Sequence, residues 1–423
     1  MNEKIAVHIE CVLEDHCSLS SHEVRDLLLE DLKTNVSLFR GGYLEVKADL
    51  QHYVSSVCVV DLPCTSSVSF WQADLRIHVF RLCDTEPDKD FLDGEDDLPA
   101  FEQWELPNRR LTGLWDSVVT EDGIKERMLG YAETSVAFSE ARVNSTIISW
   151  NRMMMLHGPP GTGKTTLCKA LAQKVYIRNT EKFSSGVLLD INAHSLFSKW
   201  FSESGKLVMK LFDHIAEIAE DTETLVVVLV DEVESIASSR SASSRSNEPG
   251  DAVRVVNSVL TSLDSLRRRE NVLMLCTSNM VDGIDAAFLD RLDLRVHLGN
   301  PPPRGIYSIL RSCIVELART GLIISDYELP LELAEAQRRI RVSSMEEDKV
   351  SGVDDVAAEE ELLLGLVKLV TTCQGASGRT LRKLPLRAHA CYLLSRNDKS
   401  MASFVAAMLS TVLEREKDEE VDI

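Results

Sequence analysis

A short glycine-rich stretch carries residue types at a spacing that suits phosphate binding. Residues 153–166 read MMMLHGPPGTGKTT, an apolar run followed by the pattern G-x-x-x-x-G-K-T. The glycines let backbone N–H groups close around phosphate oxygens, and the dipole of the following helix favours negative charge. The candidate nucleotide-binding residues are Gly158, Pro159, Pro160, Gly161, Thr162, Gly163, Lys164, Thr165 and Thr166. Within this stretch we expect Lys164 to reach the β- and γ-phosphates and the Thr165 hydroxyl to bind Mg²⁺.

A second motif places two carboxylates at the end of an apolar strand. Residues 225–235 read LVVVLVDEVES, so that Asp231 and Glu232 follow a strongly aliphatic run. We expect Asp231 to hold Mg²⁺ through its water shell and Glu232 to orient and polarise an attacking water. An Asp-Glu pair after an apolar strand is common by itself. Downstream of the glycine-rich stretch it indicates hydrolysis rather than nucleotide binding alone.

A third polar position follows another apolar strand. Residues 271–279 read NVLMLCTSN and end in Asn279. An amide at this place can hydrogen-bond both a γ-phosphate and the attacking water. A turn asparagine that caps the next element is the simpler explanation, and only the position after a third core strand favours the catalytic role.

Alternating strand and helix patterns surround these motifs and would position them. From residue 101 to about 320 this alternation predicts an α/β fold with a mostly parallel sheet and flanking helices. Near the amino terminus, strand patterns and a helix capped by Ser20 and Glu23 predict a small α+β domain. The predicted divisions are an N-terminal α+β domain at 1–82, a solvated acidic linker at 83–100, a large α/β subdomain at 101–305, and a helical lid subdomain at 306–423 with a flexible insert near 341–361 and an acidic tail.

The bulk properties argue against two classes of partner. The formal charge is −21 and the isoelectric point is about 5.0, which disfavours a nucleic-acid backbone or an anionic membrane as the main partner. The ten cysteines form no C-x-x-C pair, and the first residues lack an apolar signal core. We therefore expect a soluble intracellular protein with reduced thiols and no cysteine-bound metal.

One aromatic pair does not fit a simple core pattern. Residues 195–206 read SLFSKWFSESGK, with Trp200 and Phe201 adjacent. Neighbouring residues point to different faces of a helix or a strand, so these side chains would not share one buried face. The stretch predicts a strand that leads into a loop and then a helix that begins near 202–204.

Together these motifs resemble the AAA+ ATPases over residues 100–400. The matching segments are GPPGTGKT, VDEVES, TSN and IDAAFLDRLDLRVHLGNPP. The resemblance implies a ring, usually a hexamer, with ATP bound at each subunit boundary. It also implies that LTGLWDSVV at 111–119 packs near the adenine. The stretch around Trp200 would form a pore loop that grips a polypeptide by apolar contact, with the residues Lys199, Trp200, Phe201, Ser202, Glu203, Ser204 and Gly205.

The resemblance also assigns roles to two arginines. Arg291 falls where such proteins carry an arginine finger, which enters the neighbouring subunit's site; without the family context a surface salt bridge is the simpler role. Arg379, in GASGRTLRKLP, falls at the second sensor, a lid arginine that contacts the γ-phosphate of its own subunit.

The narrower resemblance is to the pachytene checkpoint protein 2 family, also called thyroid hormone receptor interactor 13. It rests on VHIECVL, WELPNRRLTGLWDSVV, KWFSESGKLV and SGRTLRKLP, and spans nearly the whole chain. It implies an ATP- and Mg²⁺-dependent homo-hexamer that threads or locally unfolds HORMA-domain proteins, converting closed to open conformers. The N-terminal domain would bind the substrate or a HORMA adaptor. The implied setting is the spindle assembly checkpoint and the meiotic chromosome axis, in the nucleus and cytoplasm.

Alternatives to remodelling remain open at this point. A DNA-acting AAA+ machine, such as a clamp loader or helicase, needs basic elements, and the net charge counts against it. A scaffold without turnover would be indicated by loss of Lys164, Glu232 or Arg291, and the chain retains all of them. A zinc protease is disfavoured because HEVRD at 22–26 has Asp26 where H-E-x-x-H requires histidine.

Overall fold

A computed structural model describes residues 4–62, 66–90, 101–144, 146–193, 204–237, 249–280, 284–324, 327–346, 353–393 and 399–421. A membrane-spanning helix needs about 20 apolar residues, and among the helices within these ranges none meets that requirement.

The N-terminal part is an α+β unit built around a small sheet. Its elements are β1 (Ile5–Leu13), α1 (Ser21–Asn35), β2 (Leu38–Arg40), β3 (Gly42–Tyr43), β4 (Val54–Val60), β5 (Ser67–Ser69) and β6 (Ala73–Phe80). The sheet order is β3-β4-β1-β6, with β1 antiparallel to β4 and parallel to β6. The predicted capping box starts α1, since the Ser20 N–H donates to the Glu23 carboxylate at 2.7 Å and the Glu23 N–H donates to the Ser20 hydroxyl at 3.3 Å. The predicted N-terminal α+β architecture is confirmed.

The central part contains a larger, mostly parallel sheet. Its strands are β7 (Asp88–Asp90), β8 (Phe101–Leu106), β9 (Met153–His157), β10 (Ser185–Asn192), β11 (Thr224–Asp231), β12 (Val272–Ser278) and β13 (Leu294–His297). Within the described ranges the strand order is β13-β9-β12-β11-β10-β8-β7, and only β7 and β8 run antiparallel to their neighbours. This order confirms the predicted α/β fold and puts the ends of β9, β11 and β12 side by side.

Helices cover both faces of this sheet. They are α2 (Leu114–Ser117), α3 (Ile124–Glu140), α4 (Lys164–Arg178), α5 (Ser204–Ile218), α6 (Glu234–Ala237), α7 (Pro249–Leu266) and α8 (Ala286–Asp290). Strand β11 shows why both faces are apolar. Its side chains alternate between a core that contains Val226 and Val228 and a core that contains Val227 and Leu229. A strand buried on both sides holds its terminal residues in fixed positions.

The acidic segment after β6 is not only a linker. Residues 88–90 form β7 and pair antiparallel with β8. Cys83 and Asn108 form an isolated parallel β-bridge through their backbones. Arg110 forms an ion pair with Glu86 at 2.6 Å. The expectation of a solvated linker across 83–100 is therefore wrong for 83–90, because the exposed edge of β8 offers backbone hydrogen-bond partners. Residues 91–100 lie outside the described residues.

The C-terminal part is helical, as predicted. It contains α9 (Pro303–Arg319), α10 (Leu333–Glu346), α11 (Val353–Thr372), α12 (Gly378–Ala388) and α13 (Met401–Val421), packed around an apolar core of their own. Helices α10 and α11 extend far into 341–361, the segment expected to be a flexible insert. Arg339 of α10 pairs with Glu359 of α11 at 3.2 Å, and residues 347–352 of the predicted insert lie outside the described residues.

An ionic cluster joins the N-terminal unit to the end of α4. Lys174 and Arg178 are only 7% and 8% exposed, and Lys174 pairs with Asp61 at 3.0 Å and Glu10 at 3.4 Å. Arg178 pairs with Asp61 and with Glu133 of α3. Burial alone would raise the pKa of Asp61, but the two cations outweigh it and hold that pKa below the ordinary value. The N-terminal unit is thus tied to the helix whose other end begins at the glycine-rich stretch.

Candidate functional site

The glycine-rich stretch forms a tight loop between β9 and α4. Gly158, Gly161 and Gly163 have φ values of 147°, 79° and 98°, a region that side chains other than glycine rarely adopt. A Cβ atom on Gly158 would also lie 2.2 Å from the carbonyl oxygen of Leu298. The loop conformation therefore requires glycine at these positions. The backbone turns around Lys164, the first residue of α4.

The Lys164 ammonium points back into this loop. Its side chain is nearly buried, at 6% exposure, and Nζ donates to the carbonyl oxygens of Gly158 at 2.9 Å and Pro159 at 2.8 Å. Nζ also donates to Oδ1 of Asn279 at 2.9 Å. Burial lowers the pKa of Lys164, while nearby carboxylates oppose that effect. The structure thus brings together two residues that the sequence singled out separately.

Thr165 and Asp231 also meet. The Thr165 hydroxyl donates to the Asp231 carboxylate at 2.9 Å, and Thr277 of β12 donates its hydroxyl to the same carboxylate. Hydroxyl and carboxylate oxygens are the ligands that Mg²⁺ prefers, and one carboxylate with nucleotide phosphates is its usual protein setting. The donor set therefore fits the predicted Mg²⁺ site.

Glu232 has an unusual backbone conformation. Its φ is 59°, in the left-handed region where a non-glycine residue persists only when its surroundings hold it there. The Glu232 N–H donates to the Thr277 hydroxyl at 3.2 Å, and the next N–H, of Val233, donates to the Thr277 carbonyl at 3.0 Å. Thr277 is 1% exposed, and it contacts both the Asp231 carboxylate and the Glu232 backbone. Sequence reasoning missed Thr277, although a threonine near the end of an apolar strand was a usable signal.

Glu234 is a second residue that sequence reasoning did not assign. Its Oε1 accepts hydrogen bonds from the backbone N–H of Asn279 at 3.0 Å and from Nδ2 of Asn279 at 2.9 Å. The available signal was the further acidic residue in VDEVES. Asn279 therefore lies between Glu234 and Lys164.

A pocket of about 390 Å³ lies beside the loop, between the sheet and the lid. The 111–119 segment contributes Val118 to its wall, next to Gly163. The lid contributes Arg379, whose backbone N–H donates to the Gly161 carbonyl at 3.1 Å. Arg382 of the same helix donates to the Ser117 carbonyl at 2.9 Å. The pocket is large enough for a nucleotide base and lies against the phosphate-binding loop.

Arg291 lies elsewhere, in a second pocket of about 730 Å³ that Arg267 also lines. Its guanidinium forms a two-pronged ion pair with Asp264 of α7, with distances of 2.9 Å from Nε and 2.7 Å from Nη2. Arg291 Nη1 donates to the Ala287 carbonyl at 2.7 Å. This hydrogen-bonded pairing raises the pKa of Arg291 and lowers that of Asp264. Action in a neighbouring subunit's site stays a prediction.

The predicted pore loop falls mostly outside the described residues. The structure does not describe residues 199–203, whereas Ser204 and Gly205 begin α5. The helix start agrees with the expected position near 202–204. The role of the aromatic pair stays a prediction.

Comparisons with known proteins cover each part of the chain. The family model "ATPase family associated with various cellular activities (AAA)" matches residues 154–300, "TRIP13-like, AAA+ ATPase lid C-terminal domain" matches 302–416, and "TRIP13 N-terminal domain" matches 2–85. A pachytene checkpoint protein 2 homolog of Arabidopsis thaliana is 39% identical over 99% of this chain and 89% of its own. Another, of Xenopus tropicalis, is 41% identical over 92% of this chain and 89% of its own.

Solved structures agree with these matches. The structure of C. elegans PCH-2 has a TM-score of 0.76 and 32% identity, covering 98% of this chain and 100% of that one. A chain from the E. coli MS115-1 HORMA:CdnC:Trip13 complex has a TM-score of 0.51 and 18% identity, covering 73% of this chain and 94% of its own, and this likeness concerns the fold alone. On the strength of the family models and of relatives similar over nearly its whole length, the chain belongs to the TRIP13/PCH-2 family of AAA+ ATPases.

Proposed function

We propose that this protein is an ATP-driven remodeller that works as a homo-hexameric ring and threads or locally unfolds HORMA-domain proteins. Its main support is the match to TRIP13-type N-terminal and lid models on both sides of a complete nucleotide site. Further support is the solved assembly in which a Trip13 protein from E. coli MS115-1 is bound in a complex with a HORMA protein. The relatives' shared name favours a setting in checkpoint signalling and meiosis. As part of the same proposal, the protein acts in the nucleus and cytoplasm and converts closed HORMA conformers to open ones.

ATP binding would use the loop and the residues packed against it. Lys164 now donates to loop carbonyls and to Asn279, and each of those bonds can be exchanged for a bond to a phosphate oxygen. A phosphate oxygen carries more charge than a carbonyl, so the exchange favours the nucleotide-bound state. Thr165 and Asp231 would hold Mg²⁺, which when bound neutralises charge on the β- and γ-phosphates. Arg379 would add a cation from the lid.

Hydrolysis would depend on the carboxylate after Asp231. Glu232 would accept a hydrogen bond from the attacking water and polarise it. Asn279 would position the same water. Arg291 of an adjacent subunit would stabilise charge on the γ-phosphate, an effect of about 10³–10⁵ in rate for such arginines.

Movement would pass from the site to the substrate through two contacts. The lid helix α12 contacts the loop through a hydrogen bond from the Arg379 backbone N–H to the Gly161 carbonyl. The N-terminal unit is held on α4 by Lys174 and Arg178. Changes at the loop therefore have a packed route to the lid and to the unit proposed to bind a HORMA substrate or adaptor. The grip itself would come from Trp200, which can hold any polypeptide by apolar contact.

The Glu232→Gln variant tests the hydrolytic part of this proposal. It should bind ATP, assemble and retain a bound HORMA-domain protein, while its steady-state ATPase rate falls at least 100-fold, since water activation is lost and the Mg²⁺ ligands remain. A Glu223→Gln variant is the matched control, because Glu223 is exposed and precedes the opposite end of β11. Turnover near that of the wild type in Glu232→Gln would contradict the proposal. Stimulation of the wild-type ATPase by DNA alone would favour the DNA-acting alternative.

A further inference from the structure

Glu234 makes contacts that the nucleotide-binding motifs do not explain. It is the first residue of α6, and its Oε1 accepts both the backbone N–H and the side-chain Nδ2–H of Asn279, at 3.0 Å and 2.9 Å. Its other oxygen, Oε2, is buried and has no hydrogen-bond partner among the described residues. Among the described residues, the hydrogen bonds of the Glu234 carboxylate are therefore made to Asn279.

The chemistry of the partners fixes the orientation of the Asn279 amide. A carboxylate can only accept hydrogen bonds, and an ammonium can only donate them. Asn279 lies between Glu234 and Lys164, so its NH₂ group must face Glu234 and its Oδ1 must face Lys164. Without the carboxylate, the amide could turn over and present NH₂ to the site.

We propose that Glu234 is a positioning residue for ATP hydrolysis, which orients Asn279 so that Oδ1 accepts a hydrogen bond from the attacking water. The inference rests on the hydrolytic function proposed above. When Lys164 turns its ammonium to the phosphates, it releases Asn279 Oδ1 as a free acceptor. Glu234 keeps one N–H of the amide, and the second N–H remains available for a γ-phosphate oxygen. The Oδ1 acceptor and both N–H donors of the Asn279 side chain then each have a hydrogen-bond partner.

A competing role for Glu234 would act through Lys164. Burial lowers the pKa of Lys164, and Glu234 is the foremost of the charges that raise it. A carboxylate that served mainly to keep this lysine charged would affect ATP affinity. A carboxylate that orients Asn279 would affect the catalytic step and leave affinity nearly unchanged. Whether a Glu234 variant changes KM or kcat for ATP therefore distinguishes the two roles.

The test is a double-mutant cycle on the full chain, with kcat and KM for ATP measured for Glu234→Gln, Asn279→Ala and the combined variant. Gln keeps the size of Glu234 but allows the amide of Asn279 to turn. We expect Glu234→Gln to lower kcat about 10- to 100-fold, with KM within about threefold. In the Asn279→Ala background it should cause no further loss, because the group it acts through is gone. The matched control is Glu223→Gln.

Each other outcome would overturn the inference. An equal loss from Glu234→Gln with and without Asn279 would overturn the positioning role alone and leave the role of Asn279 intact. A change confined to KM would assign Glu234 to Lys164. Full ATPase activity of Asn279→Ala would contradict both the positioning role of Glu234 and the proposed role of Asn279. If Glu234→Gln melts well below the wild type, Glu234→Asp replaces it; this variant keeps the charge but shortens the side chain, and should show the same loss of kcat.

Discussion

Removing the Thr277 hydroxyl should disturb both the Asp231 carboxylate and the Glu232 backbone. In Thr277→Val the Asp231 carboxylate loses one hydrogen-bond donor, and the Glu232 N–H loses its acceptor at 3.2 Å. A hydrogen bond to a charged group contributes about 1.5–3 kcal/mol, and an unsatisfied buried donor costs about 1–3 kcal/mol. Thr165 still donates to Asp231, so we expect the free energy of unfolding to fall by about 2–4 kcal/mol.

The catalytic effect should be larger than the stability effect implies. Glu232 holds a left-handed φ of 59°, which its neighbours must maintain. Once the Thr277 acceptor is gone, the backbone can relax and move the carboxylate, and a displacement near 1 Å can cost about 100-fold in rate. We therefore expect kcat for ATP to fall about 100-fold, with ATP binding retained through Lys164 and the loop.

The assay is steady-state ATP turnover with thermal or urea unfolding of the same samples. Thr277→Ser keeps the hydroxyl and should stay within about threefold of wild-type kcat. Thr224→Val is the matched control, because Thr224 is also buried in the sheet and donates to Asp221 at 2.6 Å at the opposite end of β11. It should lose stability and keep kcat. Wild-type turnover in Thr277→Val, or an equal loss in Thr224→Val, would refute the reasoning.

Three further variants test other parts of the molecule. Asp61→Asn should lower the free energy of unfolding by about 2 kcal/mol at neutral pH. Because the folded-state pKa of Asp61 is lowered, this difference in unfolding free energy from the wild type should shrink as the pH falls below the ordinary 3.8. A difference that stays constant in urea titrations at several pH values would contradict this. Gly158→Ala should abolish ATP binding in a fluorescent-nucleotide titration, because its Cβ would lie 2.2 Å from a carbonyl oxygen; normal affinity would be the contrary result. Asp264→Asn should change the ATPase rate of the assembled protein but not its nucleotide affinity, since Asp264 holds Arg291, and unchanged turnover would show that this ion pair does not bear on catalysis.

The sequence predicted the parts of the site that lie on one continuous segment each. The loop around Lys164 and the residues after β11 and β12 follow strong local patterns, and the parallel sheet brings them together. Their approach to one another needs no information beyond strand order. That is why residues that the sequence singled out separately lie within hydrogen-bonding distance in the structure, Lys164 with Asn279 and Thr165 with Asp231.

The sequence did not predict contacts that depend on pairing register or on docking. Thr277 reaches Asp231 because Val230 pairs with Cys276, which a hydrophobic pattern does not specify. The junction of Asp61 with Arg178 joins residues far apart in the chain, and nothing local marks either as a partner. Residues 83–90 look like a linker by composition, and become an edge strand only when β8 is beside them.

ATP turnover is proposed to drive the remodelling of a HORMA-domain protein. The most direct measurement mixes a purified closed HORMA-domain protein with this ATPase, with and without a HORMA adaptor, and follows conversion to the open conformer by native gel electrophoresis. We predict ATP-dependent conversion by the wild type, none by Glu232→Gln, and none by Trp200→Ala, which should still hydrolyse ATP. No conversion by the wild type under any of these conditions, or conversion that proceeds equally without ATP, would contradict the account.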